Sequence, residues 1–246
     1  MDVVQQRFAE WVYKLGITLT ERQAEQFETY FRLLVEWNEK MNLTGITERE
    51  PVYEKHFYDS LTIAEAVDFN KTSSIADIGS GAGFPSLPLK IAFPHLKVTI
   101  VDALAKRIRF LDEVIAALGL DNVTALHGRA EEVARDAIHR DHYDVVTARA
   151  VARLSVLNEF CLPFTKSGGV FIAMKGTDVE EELRDSGYSA HVLKGEAREV
   201  LKLKLPLEQS ERHLVIIDKK GSTPKAYPRK AGTPLKSPLV DPAASQ

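Results

Sequence analysis

The run Ile75-Ala76-Asp77-Ile78 passes directly into Gly79-Ser80-Gly81-Ala82-Gly83-Phe84-Pro85 and then into a helical pattern, an order that few folds accept. A short apolar strand, a glycine-rich turn and a helix form the local signature of an α/β sheet with a ligand loop at a strand's carboxyl end. Glycine lets the backbone turn tightly and approach a ligand where a Cβ would clash, and the following helix offers unpaired N–H groups. The dinucleotide fingerprint G-x-G-x-x-G wants its third glycine at 84, where Phe84 stands instead. Asp77, two places before the first glycine, points the same way. A carboxylate beneath the loop repels a pyrophosphate and suits a ligand with a cationic end. The next apolar run, Lys97 to Asp102, ends in a second carboxylate placed to accept both hydroxyls of a ribose. An adenosine with a cationic tail satisfies both acids.

The rest of the chain sets this loop in a repeating frame. From residue 74, strand-length apolar runs at 74–78, 97–101, 123–127, 143–147 and 169–174 alternate with helical patterns near 86–93, 105–118, 131–138, 154–161 and 178–186. The alternation predicts an α/β fold with a doubly wound, mostly parallel sheet covered by helices on both faces. Runs near 197–204 and 212–218 complete its edge as an antiparallel pair. Residues 1–70 read as a helical extension: Val4, Phe8, Trp11, Val12 and Leu15 share a face, Gly16 stops that helix, and Thr20 with Gln23 makes a capping box for the next. Thr47 with Glu50 suggests another such box, although Pro51 falls in its first turn. The expected divisions are therefore 1–70, a ligand-binding domain at 71–218, and a tail at 219–246. That tail carries Pro224, Pro228, Pro234 and Pro238 and reads as extended and poorly packed.

Composition removes several classes. No stretch is apolar over a membrane's thickness, and Met1 to Gln6 lacks the basic and apolar regions of a signal peptide, so the expected setting is cytoplasmic, with no membrane partner. Cys161 is the only cysteine, which excludes an internal disulfide and a cysteine-pair metal site; His139 and His142 read as an exposed loop, and no metal is expected. The net charge of -3 is not that of a protein coated in cations, yet Lys219, Lys220, Lys225, Arg229, Lys230 and Lys236 follow one another with no acid between them.

Beyond the loop, six further segments stand out: D-A-L-A-K-R-I-R-F-L (102–111), H-G-R-A-E-E (127–132), T-A-R-A-V-A (147–152), W-N-E-K-M-N-L-T-G-I (37–46), H-F-Y-D-S-L (56–61) and Y-P-R-K-A-G-T-P (227–234). Together with D-I-G-S-G-A-G-F-P they resemble the class I S-adenosylmethionine methyltransferases, and specifically the bacterial glucose-inhibited division protein B family of small-subunit ribosomal RNA guanine-N7 methyltransferases. The resemblance implies a Rossmann-like sheet, S-adenosyl-L-methionine as cofactor, and small-subunit ribosomal RNA or its particle as partner. It also implies a cofactor site drawn from Asp77, Gly79, Gly81, Phe84, Asp102, Ala130, Glu131 and Arg149, with Phe84 beside the ligand, Ala130 and Glu131 at the adenine, and Arg149 at the methionine end. Taken alone, Phe84 reads as core and Glu131 as a first-turn acid favoured by the helix dipole. His56 and Asp59 read equally as active-site residues or as an ordinary helix-surface pair.

Methylation of exocyclic amines goes with a D/N-P-P-Y/F motif where this chain reads T-A-R-A, and carbon-5 methylation of pyrimidines needs a cysteine nucleophile, whereas Cys161 sits in an apolar helical run. Guanine N7 needs neither device, since its lone pair is free. No catalytic acid or base is assigned. Lys106, Arg107, Arg129, Lys175, Arg229 and Lys230 are the candidate RNA contacts. Two rival readings stand beside this one: a nicotinamide-dependent oxidoreductase, disfavoured by Asp77 and Phe84, and a non-catalytic RNA-binding assembly protein.

Overall fold

The computed structural model describes residues 1–149, 152–176 and 179–241. Ala150 and Val151 of the T-A-R-A-V-A segment, residue 178 of an expected helix and the last five residues of the tail lie outside them. Five strands, β1 (Ser74–Ile78), β2 (Lys97–Asp102), β3 (Val123–His127), β4 (Tyr143–Arg149) and β5 (Thr165–Lys175), run parallel, and β6 (Gly195–Lys204) and β7 (Glu211–Lys219) form an antiparallel pair. Their order is β3-β2-β1-β4-β5-β7-β6, with β7 antiparallel to β5. The chain therefore winds outward from β1 to β3 and returns to the other side of β1 with β4. At that reversal the connections leaving β1 and β4 diverge and open a crevice at their carboxyl ends.

Helices α1 (Val3–Lys14), α2 (Glu21–Lys40), α3 (Arg49–Val52) and α4 (Asp59–Leu61) make the N-terminal layer, with a π-helical stretch Tyr53–Tyr58 between α3 and α4. The box at Thr20 forms as expected: Gln23 N–H donates to Thr20 Oγ1 at 3.3 Å and Gln23 Oε1 accepts from Thr20 N–H at 2.8 Å. The box expected at Thr47 does not. Glu48 is the residue before α3, without a side-chain cap, and Glu50 turns to Arg7 instead. Phe8, Val12, Phe27, Tyr30 and Leu34 of α1 and α2 share one apolar cluster with Ile75, Val98, Ile100 and Ile172 of the sheet, so the extension is the cover of one sheet face. Removing it would expose that face to water.

Helices α5 (Ser86–Ala92), α6 (Ala105–Leu118), α7 (Ala130–Val133), α8 (Leu154–Cys161) and α9 (Glu180–Val192) follow the strands. The α6 helix runs as its spacing predicts, burying Ile108, Leu111 and Leu118 and ending on Gly119 at φ +59°. The helix expected at 131–138 shrinks to α7, after which residues 134–141 continue in turns.

The C-terminal segment is not the extended, poorly packed tail that its prolines suggest. Lys219 is buried and donates to Asp141 Oδ1 at 2.8 Å, Thr223 Oγ1 at 2.7 Å, Thr165 O at 3.1 Å and Leu162 O. Arg140 donates to Tyr227 O at 2.8 Å, Thr223 O at 3.0 Å and Pro224 O at 3.1 Å, and the segment closes with α10 (Thr233–Lys236). A proline-rich stretch has few N–H groups to offer, so its carbonyls are satisfied by arginines reaching out from the domain.

Candidate active site

The glycine loop sits at the crevice. Gly79, Gly81 and Gly83 all have positive φ, at +71°, +62° and +94°. A Cβ at Gly83 would come within 2.6 Å of Tyr30 Oη and 2.7 Å of Leu87 Cδ1, so that glycine lets α2 and α5 pack under the loop. A Cβ at Gly81 meets nothing within 4 Å, because it faces the open cleft. Two glycines of one motif thus serve opposite sides, one the packing and one the ligand.

Asp77 lies fully buried below them. Its Oδ2 accepts the Ser86 N–H at 3.1 Å, tying β1 to the start of α5, while Oδ1 has no partner among the described residues. Burial pushes this carboxyl up to about 7, against the pull of the Ser86 hydrogen bonds. Asp102, 3% exposed, closes β2: Oδ2 accepts Gly81 N–H at 3.1 Å and Arg107 Nη1 at 3.3 Å, and Oδ1 accepts Leu104 N–H at 2.9 Å. The carboxylate of Asp102 therefore ties the end of β2 to the glycine loop at the edge of the cleft.

Phe84 is the base of a stack. The His56 ring lies 4.7 Å from it at 18°, the Tyr30 ring 5.4 Å away at 25°, and the Arg149 guanidinium 4.9 Å above its centroid. Arg149 also donates to Asp59 Oδ2 at 3.2 Å and Lys55 O at 3.1 Å, and Asp59 Oδ1 pairs with Arg212 Nε at 3.3 Å. His56 Nε2 shares a hydrogen bond of 2.7 Å with Thr44 Oγ1. Burial first, and the neighbouring Arg149 second, lower the His56 imidazole to about 3, so the ring is neutral at ordinary pH.

Two clefts flank this wall. The first, about 500 Å³, is lined by Leu43, Thr44, the loop from Gly79 to Ala82, Phe84, Asp102 to Leu104 and Arg107. The second, about 350 Å³, is lined by Ile46, Lys55, Asp59, Met174 to Gly176 and Arg212 to Leu214. His56 and Arg149 line both.

Of the residues expected at the cofactor, Gly79, Gly81, Phe84, Asp102 and Arg149 come together in the first cleft, with Asp77 beneath it. Ala130 and Glu131 open α7 one strand away, and buried Glu131 accepts the Gly232 N–H at 2.8 Å. Among the cations, Lys106, Arg129 and Lys230 are exposed, Arg107 pairs with Asp102, and Lys175 pairs with Glu182 at 2.7 Å. Arg229 is committed elsewhere: its guanidinium makes a two-pronged pair with Glu159, a carboxylate 1% exposed, at 2.7 and 3.0 Å. Sequence reasoning misses Leu43, Thr44, Arg212 and His213 as lining residues; the first two stand inside the W-N-E-K-M-N-L-T-G-I segment, which is the one signal that could have found them. Cys161 is fully buried, and burial raises its thiol. Among the described residues no group of three or more His, Cys, Asp or Glu could hold a metal, and no helix is long and apolar enough to cross a membrane.

The family described as rRNA small subunit methyltransferase G, GidB, matches residues 23–215. A protein of Brevibacillus brevis named ribosomal RNA small subunit methyltransferase G is 55% identical over 97% of this chain and 100% of its own length. One of Bacillus cereus with the same name is 56% identical over 95% and 98%. Among solved structures, TrmN of Thermus thermophilus superposes with a TM-score of 0.52 at 15% identity, over 68% of this chain and 53% of that one, a likeness of fold alone. A match across most of the chain, with relatives more than half identical over nearly its full length, means that this chain belongs to the GidB family of small-subunit ribosomal RNA methyltransferases.

Proposed function

We propose that this protein transfers a methyl group from S-adenosyl-L-methionine to N7 of a guanine in small-subunit ribosomal RNA, in the cytoplasm. The observation that carries the reading is the identity of 55–56% to full-length enzymes of that name, and the first cleft offers what the cofactor needs. Gly81 leaves open space beside the loop, Asp102 lines the cleft with a carboxylate that could accept ribose hydroxyls, and among the described residues Asp77 Oδ1 is a buried acceptor without a donor. An ammonium group brought near Asp77 would lower its carboxyl toward the ionised form and supply that donor.

When bound, S-adenosylmethionine supplies an electrophilic methyl group on a sulfonium that leaves as a neutral thioether. The chain's part is to align and to exclude water, because N7 offers a free lone pair and no proton has to be removed before attack. Neutral His56 adds no positive charge to the wall of the cleft, and Asp59, 3.2 Å from Arg149, offsets the charge of that guanidinium. The Phe84 stack holds both in place.

Mapping N7-methylguanine in ribosomal RNA from cells with and without the gene tests the activity, and equilibrium dialysis against S-adenosylmethionine and NAD tests the cofactor. Identical methylation maps, or retention of NAD in preference, would overturn the reading.

A further inference from the structure

The second cleft lies across the His56–Arg149 wall from the glycine loop and is built of fixed donors around an apolar floor. We infer that it is the seat of the target guanine, turned out of the RNA, and that Arg149 and Arg212 select guanine by its O6; the inference rests on the methyltransferase reading above. The cleft of about 350 Å³ lies against the carboxyl ends of β4 and β5, where Arg149 is in register with Met174 and Lys175 with His213. Among the described residues it shares with the cofactor cleft the wall of His56 and Arg149. A base seated there reaches the methyl group past that wall, whereas a helical duplex cannot enter so small a space.

The donors are held before any ligand arrives. Asp59 pairs with Arg149 Nη1 at 3.2 Å and with Arg212 Nε at 3.3 Å, so one buried carboxylate sets both guanidiniums. Lys175 is fixed by Ala152 O and Glu182, each at 2.7 Å. Arg212 holds its Nε 3.3 Å from Asp59 Oδ1 in an ion pair and gives Nη1 to Ser210 and Glu211, and among the described residues its Nη2 makes no hydrogen bond. Ile46, Met174 and Leu214 supply apolar contact for a ring face. The edge of guanine that carries N7 presents two acceptors, N7 and O6; adenine presents an amine beside N7. Cationic donors around the cleft accept the first pattern and leave the second facing like partners, donor against donor. With O6 held by a guanidinium at the wall, N7 is the remaining acceptor on that edge and faces the cofactor cleft.

Gly176 allows a direct test. It lines the cleft, is exposed, and a Cβ added there meets no atom of the described residues within 4 Å, so Gly176→Trp fills the cleft without displacing the core. The substrate is small ribosomal subunits from cells lacking the gene, with enzyme in excess, and wild-type enzyme sets the reference for N7-methylguanine. Gly176→Trp should keep the melting temperature, Arg212→Gln, which takes one of two arginines from buried Asp59, should lower it yet still unfold cooperatively, and both should bind S-adenosylmethionine within about 2-fold of wild type, while the single-turnover rate falls by about 10²-fold, the scale of a misplaced reacting group. RNA affinity at two salt concentrations should change by less than about 3-fold, since few phosphate contacts are lost. Normal single-turnover rates in both variants would remove the cleft from the reaction. A loss of RNA affinity and salt dependence with a normal rate at saturation would make it a phosphate site, and a loss of cofactor binding would make it part of the cofactor site; either result overturns the seat. Absence of N7-methylguanine with the wild-type enzyme would instead defeat the functional reading itself, and this inference with it.

Discussion

Around the glycine loop, bare backbone faces open space and a buried carboxylate keeps an unpaired oxygen; in the C-terminal segment the polar groups are paired within the protein. Among the described residues, Gly81 has nothing within 4 Å of where its Cβ would stand, and Asp77 keeps an oxygen without a partner. By contrast Lys219 donates to four internal acceptors and Arg229 clamps a carboxylate that water barely reaches. Both regions carry the residue types that ligand contact demands. A group left unsatisfied in a crevice is available to a ligand, while the same group paired inside the fold holds the chain together and is spent.

The sharpest way to break this contrast is Gly81→Val. A β-branched side chain at φ +62° is strained and would project into the cleft, so cofactor binding should fall by more than about 10⁴-fold, over about 5 kcal/mol. Calorimetry on a variant that still melts cooperatively measures it; ordinary affinity would make the loop a mere turn. On the other side, Arg229→Ala strips the guanidinium from the buried Glu159 carboxylate, leaving it the backbone N–H of residue 229, and should cost about 3 kcal/mol of stability in denaturant unfolding. Little change in stability, with RNA binding lost instead, would return Arg229 to the RNA surface.

Asp77 sharpens the comparison through pH. Burial moves its carboxyl from 3.8 up to about 7, so the fold prefers the protonated acid. Its contribution is fully present below pH 3.8, is lost as pH rises through about 7, and is flat above that. Asp77→Asn cannot ionise; without cofactor it should gain on the native chain across that interval and hold an advantage of about 2–4 kcal/mol at alkaline pH. A difference independent of pH would show that the native carboxyl is already charged in the fold. The smallest effect belongs to the exposed lysines of the C-terminal segment. Lys230→Glu, alone or with Lys225→Glu and Lys236→Glu, should leave stability unchanged and reduce the dependence of RNA affinity on log salt by about 1 per lysine in contact. An unchanged slope would make the whole segment structural.

Local order made much of the fold legible. Strand and helix periods recur within a few residues, so β1 to β5, α6 and the Thr20 box could be read directly, and the loop from Gly79 to Phe84 announced a ligand because its glycines and acids are neighbours in the chain. Expectations weakened where a residue's meaning depended on a distant partner. Glu50 resembles a helix cap until Arg7 takes it, and Arg229 resembles a phosphate contact until Glu159 does. His56 and Asp59 had two readings of equal weight, and only their meeting with Arg149 places them at the clefts.

The class of sheet, the position of the loop on it and the family were all legible before folding was considered, because they rest on hydrophobic period, backbone permission and segments that are contiguous in the chain. Which charges are spent is settled only when the chain folds. Lys219 and Asp141 are 78 residues apart, Arg229 and Glu159 are 70, and Arg149 and Asp59 are 90. Whether two such groups pair depends on how the sheet brings the elements together, and no local pattern encodes that meeting. The second cleft is the extreme case: its walls come from the N-terminal layer, β4, β5 and β7, and it exists only once all four are packed.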